Sequence, residues 1–243
     1  MPRIDLNCDL GEGAGQDTDL MPLITSANIA CGAHAGDVDT MRETVELALK
    51  YKVAIGAHPS LSDRENFGRR ELLVSPEEVR LLVLTQTRLL QIIARQCGAQ
   101  VTHVKPHGAL YNMAARDPVL AQAVARAVHE TDPALILFGL AGSELITAGR
   151  ACGLRVAGEI FADRAYRADG SLMPRNQPGA MIADSRVAIA QVLRLAGEEA
   201  VLPAGRIADT VCLHGDGPQA VFFARKLREA LAAARIEVKA VNQ

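Results

Sequence analysis

A length of 243 residues, 49% of them hydrophobic, is enough for one (β/α) barrel and too apolar for a disordered chain. The net charge of −2, with basic residues scattered, offers no binding patch to a nucleic-acid backbone or an anionic membrane. Aromatics at 3% and the absence of Trp argue against stacking on single-stranded nucleic acid. No apolar run reaches the roughly 18 residues of a membrane helix, and the acid-bearing start MPRIDLNCDLGEG lacks the apolar core of a signal peptide. Five cysteines (Cys8, Cys31, Cys97, Cys152, Cys212) without a CxxC pair read as small buried side chains in a reducing cytoplasm, the expected location.

The first strand is expected over 3–9, ending on Asp9 in NCDLGEG. A polar, glycine-rich loop instead of a helix leads to a second strand, 25–31, followed by His34 in CGAHAGD. A helix over 37–52 opens on Asp37 and places Met41, Val45, Ala48 and Leu49 at helical spacing. The third strand, 53–58, ends on His58, and a long loop over 59–73 follows it. The sequence S-P-E-E starts a helix over 75–96, with a cap, an early Pro and two early acids. A fourth strand over 101–106 leads to His107 in KPHGALYN, and a helix over 117–130 opens on D-P. A strand over 135–139, a helix over 142–152 and a strand over 155–161 come next, and a second long loop occupies 164–179. A helix over 184–197, a strand over 210–214 ending on His214, and a helix over 218–234 complete the set. Gly98, Gly153 and Gly197 stand where glycines end helices. Strand and helix alternating at this pitch predict parallel βα units in one domain, 1–243.

Residues two apart on a strand share a face. Asp5, Asn7 and Asp9 therefore lie together, as do Ser26 and Asn28, Gly56 and His58, His103 and Lys105, Ala157 and Glu159, and Cys212 and His214. The opposite faces carry Ile29, Ile55, Val104, Ile160, Val211 and Leu213. One face polar or small and the other apolar predicts a TIM-like (β/α) barrel, seven-stranded, with a polar lumen. Its pocket lies where the strands end, and the two long loops overhang it.

Two chemistries suit such a pocket. Histidines and acids, among them Asp9, Glu12, Asp37, Glu159, Asp163 and Asp216, can hold a hydrolytic metal ion. No HExxH or HxxxH pair is present, so separate strands would have to assemble the ligands, and the sequence assigns no bound transition metal. Alternatively, histidine and carboxylate pairs perform metal-free acid–base work, with Lys105 and Arg164 stabilising negative charge. Lys105 could hold a carboxylate or phosphate, form a Schiff base, or simply ion-pair with Asp9 or Glu159. His103 reads as a hydrogen-bonded core residue and His129 as surface. The Gly11–Gly15 run GEGAG lacks the helix and lysine of a phosphate loop, and Arg64, Arg69 and Arg70 read as solvated loop residues.

The stretches DLNCDLGEG, SANIACGAHAGD, GAHPSLSDRENFGRR, HVKPHGALYN, GEIFADRAYRADGSLMPRNQPGAMI and CLHGDGPQA resemble the LamB/YcsF family, in order and across nearly the whole chain. The resemblance implies a barrel of the glycoside hydrolase/deacetylase type. It also implies ATP-dependent opening of the lactam ring of 5-oxo-L-proline (pyroglutamate) to L-glutamate, with Mg²⁺ accompanying ATP. The expected partners are 5-oxoprolinase subunits B and C. Roles read from spacing and face give Lys105 and Arg164 the substrate carboxylate or a transferred phosphoryl group. Asp9, His58 and His214 handle protons, Glu159 and Asp216 orient the histidines, and Asn28, His34 and His107 complete the substrate shell. The rival expectations are a metal-dependent carbohydrate or amide deacetylase and a non-catalytic chain that only binds the lactam.

Overall fold

The computed structural model describes residues 2–196, 208–215, 217 and 219–243. Seven parallel strands form a closed ring: β1 (Arg3–Leu10), β2 (Ser26–Ala30), β3 (Ala54–His58), β4 (Val101–Val104), β5 (Ile136–Leu140), β6 (Arg155–Phe161) and β7 (Thr210–Leu213). Each pairs with the next, and β1 closes the barrel by pairing with both β2 and β7. A two-residue strand that the sequence did not signal, β8 (Glu237–Val238), runs parallel to the start of β1 at Arg3 and Ile4.

The helices follow the expected alternation. They are α1 (Asp17–Leu20), α2 (Val38–Tyr51), α3 (Pro76–Gln96), α4 (Gly108–Arg116), α5 (Pro118–Thr131), α6 (Glu144–Ala151), α7 (Ser185–Ala196) and α8 (Ala220–Ala233). Capping explains the sharp starts. The Asp37 side chain accepts from the Thr40 amide, Asp117 accepts from Val119 and Leu120, and Ser75 with Glu78 forms a reciprocal capping box. Gly98 and Gly153 take the positive φ expected of them, whereas Gly197 lies outside the described residues. One expectation needs correction, and one helix went unread. The β1–β2 connection, expected to be loop, contains the short α1, and α4, to which the sequence reading gave no element, begins directly after His107. Gly108 starts α4 at φ +54°, against the Gly68 carbonyl, where a side chain would clash.

The period-two pattern sets the layers. Ile4, Leu6, Cys8, Ile29, Ile55, Val104, Ile160, Val211 and Leu213 pack outward in the core shared with the helices. The lumen is polar. Near its base Asp5 accepts from the hydroxyls of Thr25 (2.7 Å), Ser26 (2.7 Å) and Thr210 (2.5 Å). One layer up, Asn7 donates to Thr210 and Glu159 and accepts from Asn28. His103 donates Nε2–H to Asn28 Oδ1 (2.9 Å), accepts from Thr102 on Nδ1, and stacks on Phe138 at 4.3 Å. Burial, aided by the nearby Lys105 charge, pushes the His103 pKa down to about 3, so the ring is neutral. Gly56 makes room for it, since a Cβ there would overlap the imidazole. Ile136, Phe138 and Ala157 pack together as the lumen's apolar part. Among the described residues no helix is long and apolar enough to cross a membrane.

Candidate active site

Lys105 lies just past the end of β4, buried, with its ammonium 2.9 Å from Asp9 Oδ1 and 2.9 Å from Glu159 Oε1. Asn7 Oδ1 (3.1 Å) and Cys212 Sγ (3.0 Å) complete its surroundings. Burial opposes the charge, but the carboxylates of Asp9 and Glu159 outweigh it and hold the amine well above its ordinary pKa. An ammonium has no lone pair, so the Schiff-base alternative loses its chemistry. Its three hydrogens are already shared among protein acceptors, so a substrate anion finds no spare donor here. Cys212 is more than a packing residue: it touches the amine, while burial raises its pKa and keeps the thiol neutral.

Asp9 receives Asn28 Nδ2 (2.8 Å) and Lys105 on Oδ1, and turns Oδ2 toward His58 Nε2 at 3.4 Å. Burial raises its pKa, but His58 and Lys105 pull it well below the carboxylate range, so it is ionised. Glu159 faces Lys105 and Asn7, with Tyr111 of α4 beside it, and orients no histidine. That corrects its expected role.

Three histidines meet Glu12, which the sequence counted among the candidate acids without giving it a role of its own. The glycines flanking it, Gly11 at φ +71° and Gly13 at φ +81°, turn the loop after β1 back over the barrel mouth. Glu12 Oε1 lies 3.0 Å from His34 Nε2, 3.3 Å from His107 Nδ1 and 3.8 Å from His58 Nε2. His34 and His107 stack in parallel at 3.8 Å. Burial disfavours charge on all three rings and lowers His34 and His107; only His58, beside Asp9, is raised.

Across the mouth, His214 Nδ1 donates to Asp163 (2.8 Å), and its Nε2 accepts from Arg175 Nη2 (2.6 Å). Burial opposes ionisation of Asp163, but His214 and then Arg175 keep its pKa below the usual range. Asp163 therefore orients His214; Asp216, of which such a role was expected, lies outside the described residues. Arg164 donates to the Met173 carbonyl, its Nε is buried without a partner, and burial with neighbouring Arg175 lowers its pKa to about 10.

These groups share one cavity of about 640 Å³ at the C-terminal ends of the strands. Asp9, Glu12, His58, Lys105, His107, Arg164 and His214 line it, and both long loops overhang it through Arg69, Glu71, Arg167 and Arg175. Arg69 is therefore a lining residue, not a merely solvated one. His34 and Asn28 stand behind the lining, bonded to Glu12 and Asp9. Glu159 lies behind it too, whereas His129 is on the surface of α5.

Among the described residues two groups have the donor atoms for a metal ion: Glu12 with His34, His58 and His107, and Asp9 with Cys212 and His214. The second already encloses the Lys105 ammonium, which repels another cation.

Fold and site together define a (β/α)-barrel protein of the enzyme class, with acids, imidazoles and guanidinium groups gathered where the strands end. The chain belongs to the LamB/YcsF family, whose sequence profile matches residues 4–243. It is 53% identical over 249 residues to a Geobacillus kaustophilus protein named as the A subunit of 5-oxoprolinase, covering 99% of this chain and 97% of that one. A crystal structure of a lactam utilization protein from Thermus thermophilus is 44% identical with a TM-score of 0.88, covering 98% of this chain and 99% of that one. The polysaccharide deacetylase Bc1974 from Bacillus cereus, at 12% identity and a TM-score of 0.53 over 99% of this chain and 92% of that one, shares the fold alone.

Proposed function

We propose that this chain is the A subunit of an ATP-dependent 5-oxoprolinase, opening the lactam of 5-oxo-L-proline to L-glutamate in company with subunits B and C. The observation that carries the substrate is the full-length likeness to a protein named as the A subunit of 5-oxoprolinase. The site supplies fitting chemistry. Water adds to the ring carbonyl carbon and gives up a proton; the C–N bond breaks as the ring nitrogen takes one. A five-membered lactam resists this, and ATP, with Mg²⁺ as its counter-ion, drives it: the γ-phosphoryl group passes to the amide oxygen as ADP leaves, ring opening by the first water gives an acyl phosphate, and a second water releases inorganic phosphate and the free carboxylate.

Arg164, with an unpartnered Nε at the cavity, takes the substrate carboxylate or the phosphoryl group. Lys105, its donors spent, instead fixes Asp9 and Glu159 in place. Asp163 fixes the tautomer of His214, so Nε2 is the nitrogen that accepts a proton once a substrate anion draws Arg175 away. Asp9, held ionised at the cavity, orients the attacking water.

The test is L-glutamate formation from 5-oxo-L-proline and ATP, with this chain alone, with B and C alone, and with all three. Glutamate from the complete set, lost when this chain or ATP is left out, supports the reading. A complete set that makes none, or partners that make as much without this chain, overturns it.

A further inference from the structure

The hydrogen atoms of the histidine cluster can be counted from its backbone partners. His58 Nδ1 lies 2.7 Å from the Lys105 carbonyl, and His107 Nε2 lies 2.9 Å from the Phe67 carbonyl. A carbonyl only accepts, so each of these nitrogens carries the ring's hydrogen. In neutral rings that leaves His58 Nε2 and His107 Nδ1 as bare lone pairs, and they face each other at 2.9 Å. Two lone pairs come this close only around a positive centre. A third acceptor, Glu12 Oε1, closes the triangle at 3.3 and 3.8 Å. A tetrahedral ion with bonds of about 2.0–2.1 Å holds its ligand atoms ~3.3 Å apart, within the range of these edges.

His34 is set apart from the other two. Its ring is parallel to that of His107, with an interplanar angle of 2° at 3.8 Å, so a single ion cannot lie in both ring planes. His34 instead has Nε2 at 3.0 Å from Glu12, where an N–H would anchor the carboxylate. The Lys105 ammonium is already bonded to Asp9 and Glu159, whereas the ion-pair contacts of Glu12 among the described residues are to the imidazoles of His34, His58 and His107.

We propose that His58 Nε2, His107 Nδ1 and Glu12 Oε1 bind one divalent transition-metal ion of the zinc or cobalt class, with His34 supporting Glu12 from outside the coordination shell. Two imidazoles and one carboxylate suit such ions better than Mg²⁺, which prefers an all-oxygen shell. Each ligating ring donates its other N–H to a carbonyl, which fixes the tautomer as metal-binding histidines require. All three ligands line the cavity, so a fourth position is open to water or substrate. The site does not depend on the lactam reading, because uptake is measured without turnover.

The experiment strips the full-length protein with chelator and titrates Zn²⁺ and Co²⁺ by calorimetry, with Co²⁺ visible absorption as the second readout. One equivalent, with the intense absorption of four-coordinate cobalt, is expected. Affinity falls 100-fold or more in Glu12→Gln and His107→Asn, about tenfold in His34→Asn, and not at all in the surface control His129→Asn. X-ray absorption of the zinc-loaded wild-type protein, which needs no variant to fold, shows two nitrogen ligands from imidazole. Absent stoichiometric uptake, or uptake unchanged in both ligand variants, overturns the site. So does an NMR spectrum of chelator-treated protein that persists on adding Zn²⁺ and shows one proton shared between His58 and His107.

Discussion

The base and the mouth of the lumen are both polar and both buried, yet they are built differently. At the base, Asp5, Asn7, Ser26, Asn28, His103 and Thr210 form a network in which hydroxyls, amides and a neutral imidazole match acceptors. Among the described residues none of them leaves a buried side-chain atom unpartnered. At the mouth, charges face charges and, among the described residues, His34 Nδ1 and Arg164 Nε are buried without a partner. An unpaired buried polar group costs about 1–3 kcal/mol. A fold tolerates several together where a ligand or reaction completes them. The base has the build of a scaffold, and the mouth that of the proposed site.

Lys105→Met should cut deepest. It strands Asp9 and Glu159 without their counter-charge, and breaking a buried pair costs about 3–5 kcal/mol. Urea denaturation should show that loss, together with abolished turnover; unchanged stability would mean the ion pair does not hold the mouth together. At the base, burial raises Asp5 to a pKa of about 6 against its three hydroxyl donors. The folded protein therefore keeps a proton between roughly pH 4 and 6 that the unfolded chain has lost, and stability falls as pH rises through that window. Two pKa units at ~1.4 kcal/mol each amount to roughly 3 kcal/mol. Asp5→Asn should flatten this segment of the stability–pH curve while leaving turnover in place; equal slopes in the two proteins would contradict it.

Arg164→Ala probes the mouth without touching the base. Loss of a charge-assisted contact of about 1.5–3 kcal/mol should raise KM for 5-oxo-L-proline 10- to 100-fold, with the melting temperature little changed. An unaltered KM would remove Arg164 from substrate binding. The smallest effect is expected from Gly56→Ala, which crowds His103 and should cost about 1–3 kcal/mol as read by thermal melting. Wild-type stability there would show that the base repacks freely.

The base was legible in the sequence because period-two alternation put Asp5, Asn7 and Asp9 on one face, and the packing of Ile4, Leu6 and Cys8 bears that out. Helix starts at Asp37, Ser75 and Asp117 were legible from capping chemistry. The mouth was legible only in part. Asp9, His58, Lys105, His107, Arg164 and His214 were placed at the cavity because strand ends converge there. Glu12 and Asp163 were counted among the candidate acids, but which side chain each one meets was not legible. Glu12 arrives by a glycine-turned loop that has no periodicity, Tyr111 rides on α4, which starts without a capping side chain, and Asp163 finds His214 across 51 positions of sequence. Pairings of that kind depend on loop paths, which alternation does not encode.

The proposal that the mouth performs the reaction is tested most directly by Asp9→Asn in the complex reconstituted with the proposed partners, subunits B and C, with glutamate release from 5-oxo-L-proline and ATP as the readout. The substitution preserves shape and removes the charge between Lys105 and His58. Glutamate formation falling to background in a variant that still folds and assembles is the predicted result. Release at the wild-type rate would contradict the account.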